Sequence, residues 1–271
     1  MTRNTIIGNP DRPDDPTASS NRLPDTLPTG DSVEATHRAN GYATLALGLE
    51  RPDDRYMAAV EGGIFGDQLV QSISTVDDDL SDLAMRVSGT ISDVDRLEQK
   101  WSRLFGVEHG LTVSPYELTY LPGPLVTNVR VLADINGFYR AFGLTVASGR
   151  NDRCDHICFM LEFLSHLSLS EAHLRTVGDC AGVAIVVDAR RSFVEDHLGR
   201  WFWRFTDEVT ARDEGFHAAV AELVAGVMEH EIDSLSIEPE WVPDHPAVTD
   251  WTEGIFGDAG RDCGGCGANP G

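Results

Sequence analysis

The sequence predicts a single all-α domain, a helical bundle of about seven to eight helices, and three observations lead there. At 271 residues and 41% hydrophobic, the chain is long and apolar enough to bury one sizeable core. Its apolar residues recur at spacings of three and four, the period of a helix with one face inward. No segment alternates with period two for long enough to build a sheet.

Residues 1–31 carry repeated Pro-Asp and no periodicity, and read as a disordered N-terminal arm. The helical domain is expected over 32–236. Asp31 or Ser32 supplies the first N-cap, and a helix with Tyr42, Leu45 and Leu49 inward runs until Pro52 stops it. A second helix is expected from about Asp54 to Ile73. A third, Val76 to Leu104, carries Leu80, Leu83, Val87, Ile91 and Val94. Periodicity lapses between Gly106 and Gly123, a loop holding Ser114-Pro115-Tyr116-Glu117 and Tyr120. A fourth helix runs through Leu125, Val129, Leu132, Ile135, Tyr139 and Phe142, ended by Gly143.

A polar loop from Ser148 to Cys154 leads into Asp155-His156, behind which Ile157, Met160, Leu161, Leu164 and Leu167 form an apolar stripe. Ser170 opens the next helical stretch, with Val183, Ile185 and Val186. That stretch favours strand locally but has no strand to pair with, so it reads as helix. Phe193, His197, Leu198, Trp201 and Phe205 continue the pattern, and Phe216, Val220, Leu223, Val224, Val227 and Ile232 mark the last helix. Residues 237–271, rich in Pro and Gly, read as an extended tail with a CxxC.

Charge narrows the function. The 44 acidic against 21 basic residues give a formal net charge of −23, and Lys100 is the lone lysine. Nucleic-acid binders need clustered cations to neutralise phosphates, so that class is excluded. Acidic residues spread over the whole chain suit a salt-rich, halophilic cytoplasm. At molar salt the Debye length is about 3 Å, so recognition there rests on apolar burial and close hydrogen bonds. No apolar run nears the roughly 20 residues of a membrane span, and the N-terminus has no secretory apolar core. A cytoplasmic protein without direct membrane insertion is expected.

Enzyme motifs are missing: no nucleophile elbow, no Walker A loop, no dinucleotide glycine pattern. Glu214 and His217 form an ExxH, but a di-iron bundle needs a second one, and Glu162 with His166 has the wrong spacing. Cys263 and Cys266 offer two thiolates where closed zinc needs four ligands, so they are weak metal candidates. No enzyme activity and no cofactor are expected. Asp155-His156 at a helix head reads either as a cap or as a polar pair at a groove mouth. Trp201 and Trp203, with Phe202 and Phe205, read as core; Tyr116, Glu117 and Tyr120 in a loop point to binding.

Five stretches, in order, resemble the TorD/DmsD/NarJ family of redox enzyme maturation chaperones. They are Arg38, Ala39, Tyr42, Leu45 and Leu49 before Pro52; Tyr116-Glu117 with Tyr120; Tyr139 with Phe142-Gly143-Leu144; Asp155-His156 with Leu161-Glu162-Phe163-Leu164; and Phe193, His197-Leu198, Trp201 and Phe205. The resemblance implies a TorD-like all-helical chaperone. It would bind the twin-arginine leader, or the N-terminal region, of the catalytic subunit of a molybdopterin oxidoreductase (DMSO reductase-type or nitrate reductase-type) until cofactor insertion and export. It also implies a client site among Tyr116, Glu117, Tyr120, Asp155, His156, Glu162, His197 and Trp201. One departure is the family's proline before the Asp-His pair, replaced here by Arg153-Cys154. A metal or redox carrier using the tail cysteines, and a delta-type subunit that stays on its reductase, are the alternatives.

Overall fold

The computed structural model describes residues 6–8, 30–76, 80–90, 96–106, 113–121, 124–147 and 152–242. The all-α expectation holds. The helices are α1 (Gly30–Leu49), α2 (Asp54–Glu61), α3 (Ile64–Val76), α4 (Ser81–Gly89), α5 (Leu97–Phe105) and α6 (Glu117–Tyr120). After them come α7 (Leu125–Ala141), α8 (Ile157–Val177), α9 (Cys180–Phe193), α10 (Gly199–Thr210) and α11 (Phe216–Leu235), with a π-helical turn, Val194–Leu198, joining α9 to α10.

The bundle is organised around α8. Its first five residues, Ile157 to Leu161, are all fully buried, as befits a helix whose head is apolar all round. It lies along α1 and α9, while α1 also packs on α3, and α10 on α11. Close approach of α1 to its neighbours needs Gly48, where a Cβ would sit 3.2 Å from both Phe65 and Val220. The indole N–H of Trp101 donates to the Leu49 carbonyl at 2.9 Å, so α5 closes the end of α1. Phe138, Tyr139, Phe163 and Phe193 form an aromatic knot where α7, α8 and α9 meet, with Phe163 and Phe193 centroids 4.8 Å apart.

A buried ion network joins four helices. Arg38 of α1 pairs with Glu171 of α8 at 2.6 Å, and Arg190 of α9 pairs with the same carboxylate at 3.0 Å. Arg175 adds a third guanidinium at 2.8 Å. Arg190 Nε also lies 2.9 Å from Glu231 of α11, an ion pair without hydrogen-bond alignment. Burial alone would raise the Glu171 carboxyl; Arg190, Arg38 and Arg175 outweigh it and hold it below the usual carboxylate range.

Several boundaries move. The expected second helix breaks at Gly62-Gly63, Gly63 taking a left-handed φ of 74°, to give α2 and α3. The expected third becomes α4 and α5; Ile91 and Val94 lie outside the described residues. Ser170 opens nothing: its hydroxyl donates to the His166 carbonyl one turn back, and α8 runs on to Gly178 at φ 76°. The next helix starts instead at Asp179, whose side chain accepts from the Gly182 N–H at 2.9 Å. The expectation of no sheet and of an unstructured arm fails locally. Ile6–Gly8 (β1) pairs antiparallel with Leu144–Val146 (β2), Ile7 opposite Thr145. Three residues are too few for a period-two signal.

After α11 the chain turns at Ser236, φ 52°, and returns along α10. Trp241 packs against Phe202 and Trp203, and the Val242 N–H donates to the Arg200 carbonyl at 3.0 Å. Cys263 and Cys266 lie outside the described residues.

Candidate functional site

Two distant segments are bolted together at the head of α8. Tyr116 and His156 form an antiparallel bridge, the Glu117 N–H donates to the Asp155 carbonyl at 3.1 Å, and the Ile157 N–H to the Pro115 carbonyl at 2.9 Å. Asp155 is fully buried. Its carboxylate takes Arg153 Nε and Nη2, both at 2.8 Å, and the Leu118 N–H at 3.1 Å. Asp155 therefore satisfies the start of α6 rather than that of α8. His156 caps α8, its Nδ1 accepting from the Cys158 N–H at 3.2 Å.

The absent proline is compensated from the side. Cys154 is buried, its carbonyl accepting from the Tyr139 hydroxyl at 2.9 Å and its sulfur from Asn136 at 3.1 Å. Burial pushes the Cys154 thiol up to about 11, so it stays protonated and structural at neutral pH. The Arg153 guanidinium lies 4.5 Å above the Tyr116 ring, whose hydroxyl donates to Asp152 at 2.8 Å.

Beneath this turn lies a titratable relay. Glu117 Oε1 meets His197 Nδ1 at 3.3 Å, and His197 Nε2 meets Asp134 of α7 at 3.2 Å. Burial raises the Glu117 carboxyl above its usual range, and its Oε2 has no partner among the described residues. Burial would lower His197, but Glu117 and Asp134 outweigh it and raise the imidazole. Tyr120 donates to the Ser114 carbonyl at 2.9 Å and stacks on Trp201, centroids 5.2 Å apart.

The structure thus brings Tyr116, Glu117, Tyr120, Asp155, His156, His197 and Trp201 together, with Glu162 half-buried one turn along α8 from Cys158. All but Tyr116 and Glu162 are buried. What reaches solvent is the rim they support: Tyr116, Asp152, Arg153 and Asp134, the last with a side chain 62% exposed. Asp134 escaped the sequence reading, although it is the lone carboxylate on α7. The two residues of the Glu214–His217 ExxH part company. Glu214 is exposed, whereas His217 is fully buried between Phe105 and Phe216 and pushed down to about 4 by burial. Among the described residues no group of three or more His, Cys, Asp or Glu could hold a metal, and no helix is long and apolar enough to cross a membrane.

Residues 73–207 match the nitrate reductase delta subunit family, a stretch that contains all eight of these residues. The chain belongs to the TorD/DmsD/NarJ family. Among curated relatives of that family, the chaperone protein TorD from two strains of Vibrio cholerae serotype O1 is 25% identical over 118 residues. The matched stretch covers 43% of this chain and 52% of the relative, so the chain spans about half the length of the curated TorD proteins it matches.

Proposed function

We propose that this chain is a maturation chaperone for a molybdopterin-dependent oxidoreductase, not an enzyme, acting in the cytoplasm on the leader or N-terminal region of the catalytic subunit. The family match supports the chaperone class, since the relatives it resembles are TorD chaperones. One observation carries the binding site: two carboxylates, Asp134 and Asp152, are presented at the surface, the first fixed by the buried His197 and the second by the half-buried Tyr116. Asp152 is held by the Tyr116 hydroxyl and Asp134 by His197, so each is oriented before a client arrives. A leader's arginines are planar donors matched to carboxylates. Phe138, half-buried one turn along from Asp134, offers apolar contact to the leader's hydrophobic stretch beyond the arginines. Glu117, Tyr120, Asp155, His156, His197 and Trp201 then act from below as positioning residues, while Tyr116 and Glu162 reach the surface.

The test uses a synthetic peptide carrying an Arg-Arg pair ahead of an apolar run, titrated against the full chain in concentrated salt. Asp134→Asn with Asp152→Asn keeps an acceptor oxygen at each site but removes the charge. The expected result is about a tenfold loss of affinity, on the order of 1.4 kcal/mol, with unfolding unchanged. Undiminished binding removes this rim from the reading. Retention of the chain by the mature oxidoreductase would instead make it a standing delta-type subunit.

A further inference from the structure

Among the described residues nothing covers the outer side of α7. Leu125, Val126 and Val129 are 74%, 66% and 61% exposed, a clustered apolar patch on one and a half turns of helix. Ala133 and Gly137, both exposed, carry the strip onward at helical spacing, and a Cβ built on Gly137 meets nothing within 4 Å. Arg130 and Arg140 flank it, also exposed. The helix has one carboxylate, Asp134, which His197 engages. On a chain of net charge −23, this is a cationic apolar strip.

The chain carries a segment of matching character. Val248, Trp251, Ile255 and Phe256 place four apolar side chains within nine residues. Asp244, Asp250, Glu253 and Asp258 surround them, with no lysine or arginine between Pro243 and Gly260. The described chain ends at Val242. Val242 is hydrogen-bonded to Arg200, one helical turn past His197, and His197 touches the middle of α7. Five extended residues, 243–247, span about 17 Å beyond Val242.

We propose that residues 248–256 dock on the outer strip of α7, burying Val126 and Val129 under Trp251 and Phe256 and setting the acidic flanks against Arg130 and Arg140. The occupant is this chain's own C-terminal segment, and the inference does not depend on the client site.

The experiment places the photo-crosslinking residue p-benzoylphenylalanine at position 129 of the full chain, irradiates it, and maps the products by mass spectrometry. The expected product is an intramolecular crosslink from position 129 to residues 248–256. Its yield should fall several-fold in Trp251→Asp with Phe256→Asp, while helicity measured by circular dichroism stays the same. A crosslink between two copies, seen as a dimer on a denaturing gel, overturns the proposal in favour of self-association. No crosslink to 248–256, or a yield indifferent to the two substitutions, overturns it as well.

Discussion

Glu171 and Glu117 are both buried carboxylates on helices of the same bundle, yet their neighbours leave them shifted in opposite directions. Glu171 faces Arg38, Arg175 and Arg190, and is held ionised. Glu117 faces one imidazole, keeps an oxygen without a partner among the described residues, and is pushed toward its neutral form. Guanidinium never loses its charge in the working range, whereas imidazole does. The first group is a permanent strut between α1, α8, α9 and α11; the second changes charge with its surroundings, and it lies under the surface proposed to meet a client.

The largest expected effect tests the strut. Arg190→Ala leaves Glu171 and Glu231 buried with a partner removed, and should cost about 3–5 kcal/mol in denaturant unfolding. Glu117→Gln keeps a hydrogen bond to His197 and should cost about 1 kcal/mol or less. Equal losses would break the contrast.

Next comes acid. His217 is buried neutral, so its folded pKa of about 4 lies below the ordinary 6.5. Its contribution is intact above pH 6.5 and is lost as pH falls toward 4, up to about 3 kcal/mol. Glu171, also depressed, loses its contribution only at lower pH, as its carboxylate protonates. Thermal melts of His217→Phe should therefore lack the upper part of the acid limb and leave the Glu171 part exposed. An unchanged acid limb would show that His217 is not its source.

A smaller effect is expected at the bolt. Asp155→Ala removes the acceptor for Arg153 and for the Leu118 N–H, and should lower stability by about 1–3 kcal/mol. Normal melting with lost peptide binding would mean that Asp155 contacts the client directly. The smallest effect is alkaline. His197 has a raised folded pKa, so its stabilisation is full below the ordinary 6.5 and is lost as pH rises above it through the folded value. His197→Gln should flatten this shallow slope, read by melts from pH 6 to 9; a slope that persists belongs to another group.

Helices were legible wherever one face is apolar at a regular spacing, as at Tyr42, Leu45 and Leu49, or Leu161 and Leu164. Even the Val183–Val186 stretch resolved to helix, because no partner strand was available for it. Boundaries set by a single left-handed residue were harder, and Gly178 went unread behind the more conspicuous Ser170. The residues of the candidate site were legible as a set only through the family resemblance, not from spacing. Glu117 and His197 stand 80 positions apart, and nothing local announces that α6 and the π turn meet. The Arg38–Glu171–Arg190 network was invisible for the same reason: ion pairs between helices leave no periodic trace. Asp155 shows the limit most clearly, since a carboxylate before a helix reads as that helix's cap, and here it serves another helix entirely.

The π turn at Val194–Leu198 makes the length of this stretch as consequential as its composition. With the Gly199 N–H reaching back to the Val194 carbonyl, one residue more than an α-helix would hold sits between α9 and α10. The wide turn absorbs that residue locally, so α10 keeps the phase that α9 sets, whereas one further residue inserted beside the exposed Asp196, with no second wide turn to absorb it, would rotate everything beyond it by about 100° relative to α9. Trp201, Phe202 and Phe205 would then leave the face that α11 and Tyr120 cover. Loops elsewhere in the chain can gain or lose residues with little consequence. Here a single insertion acts as a frameshift in three dimensions.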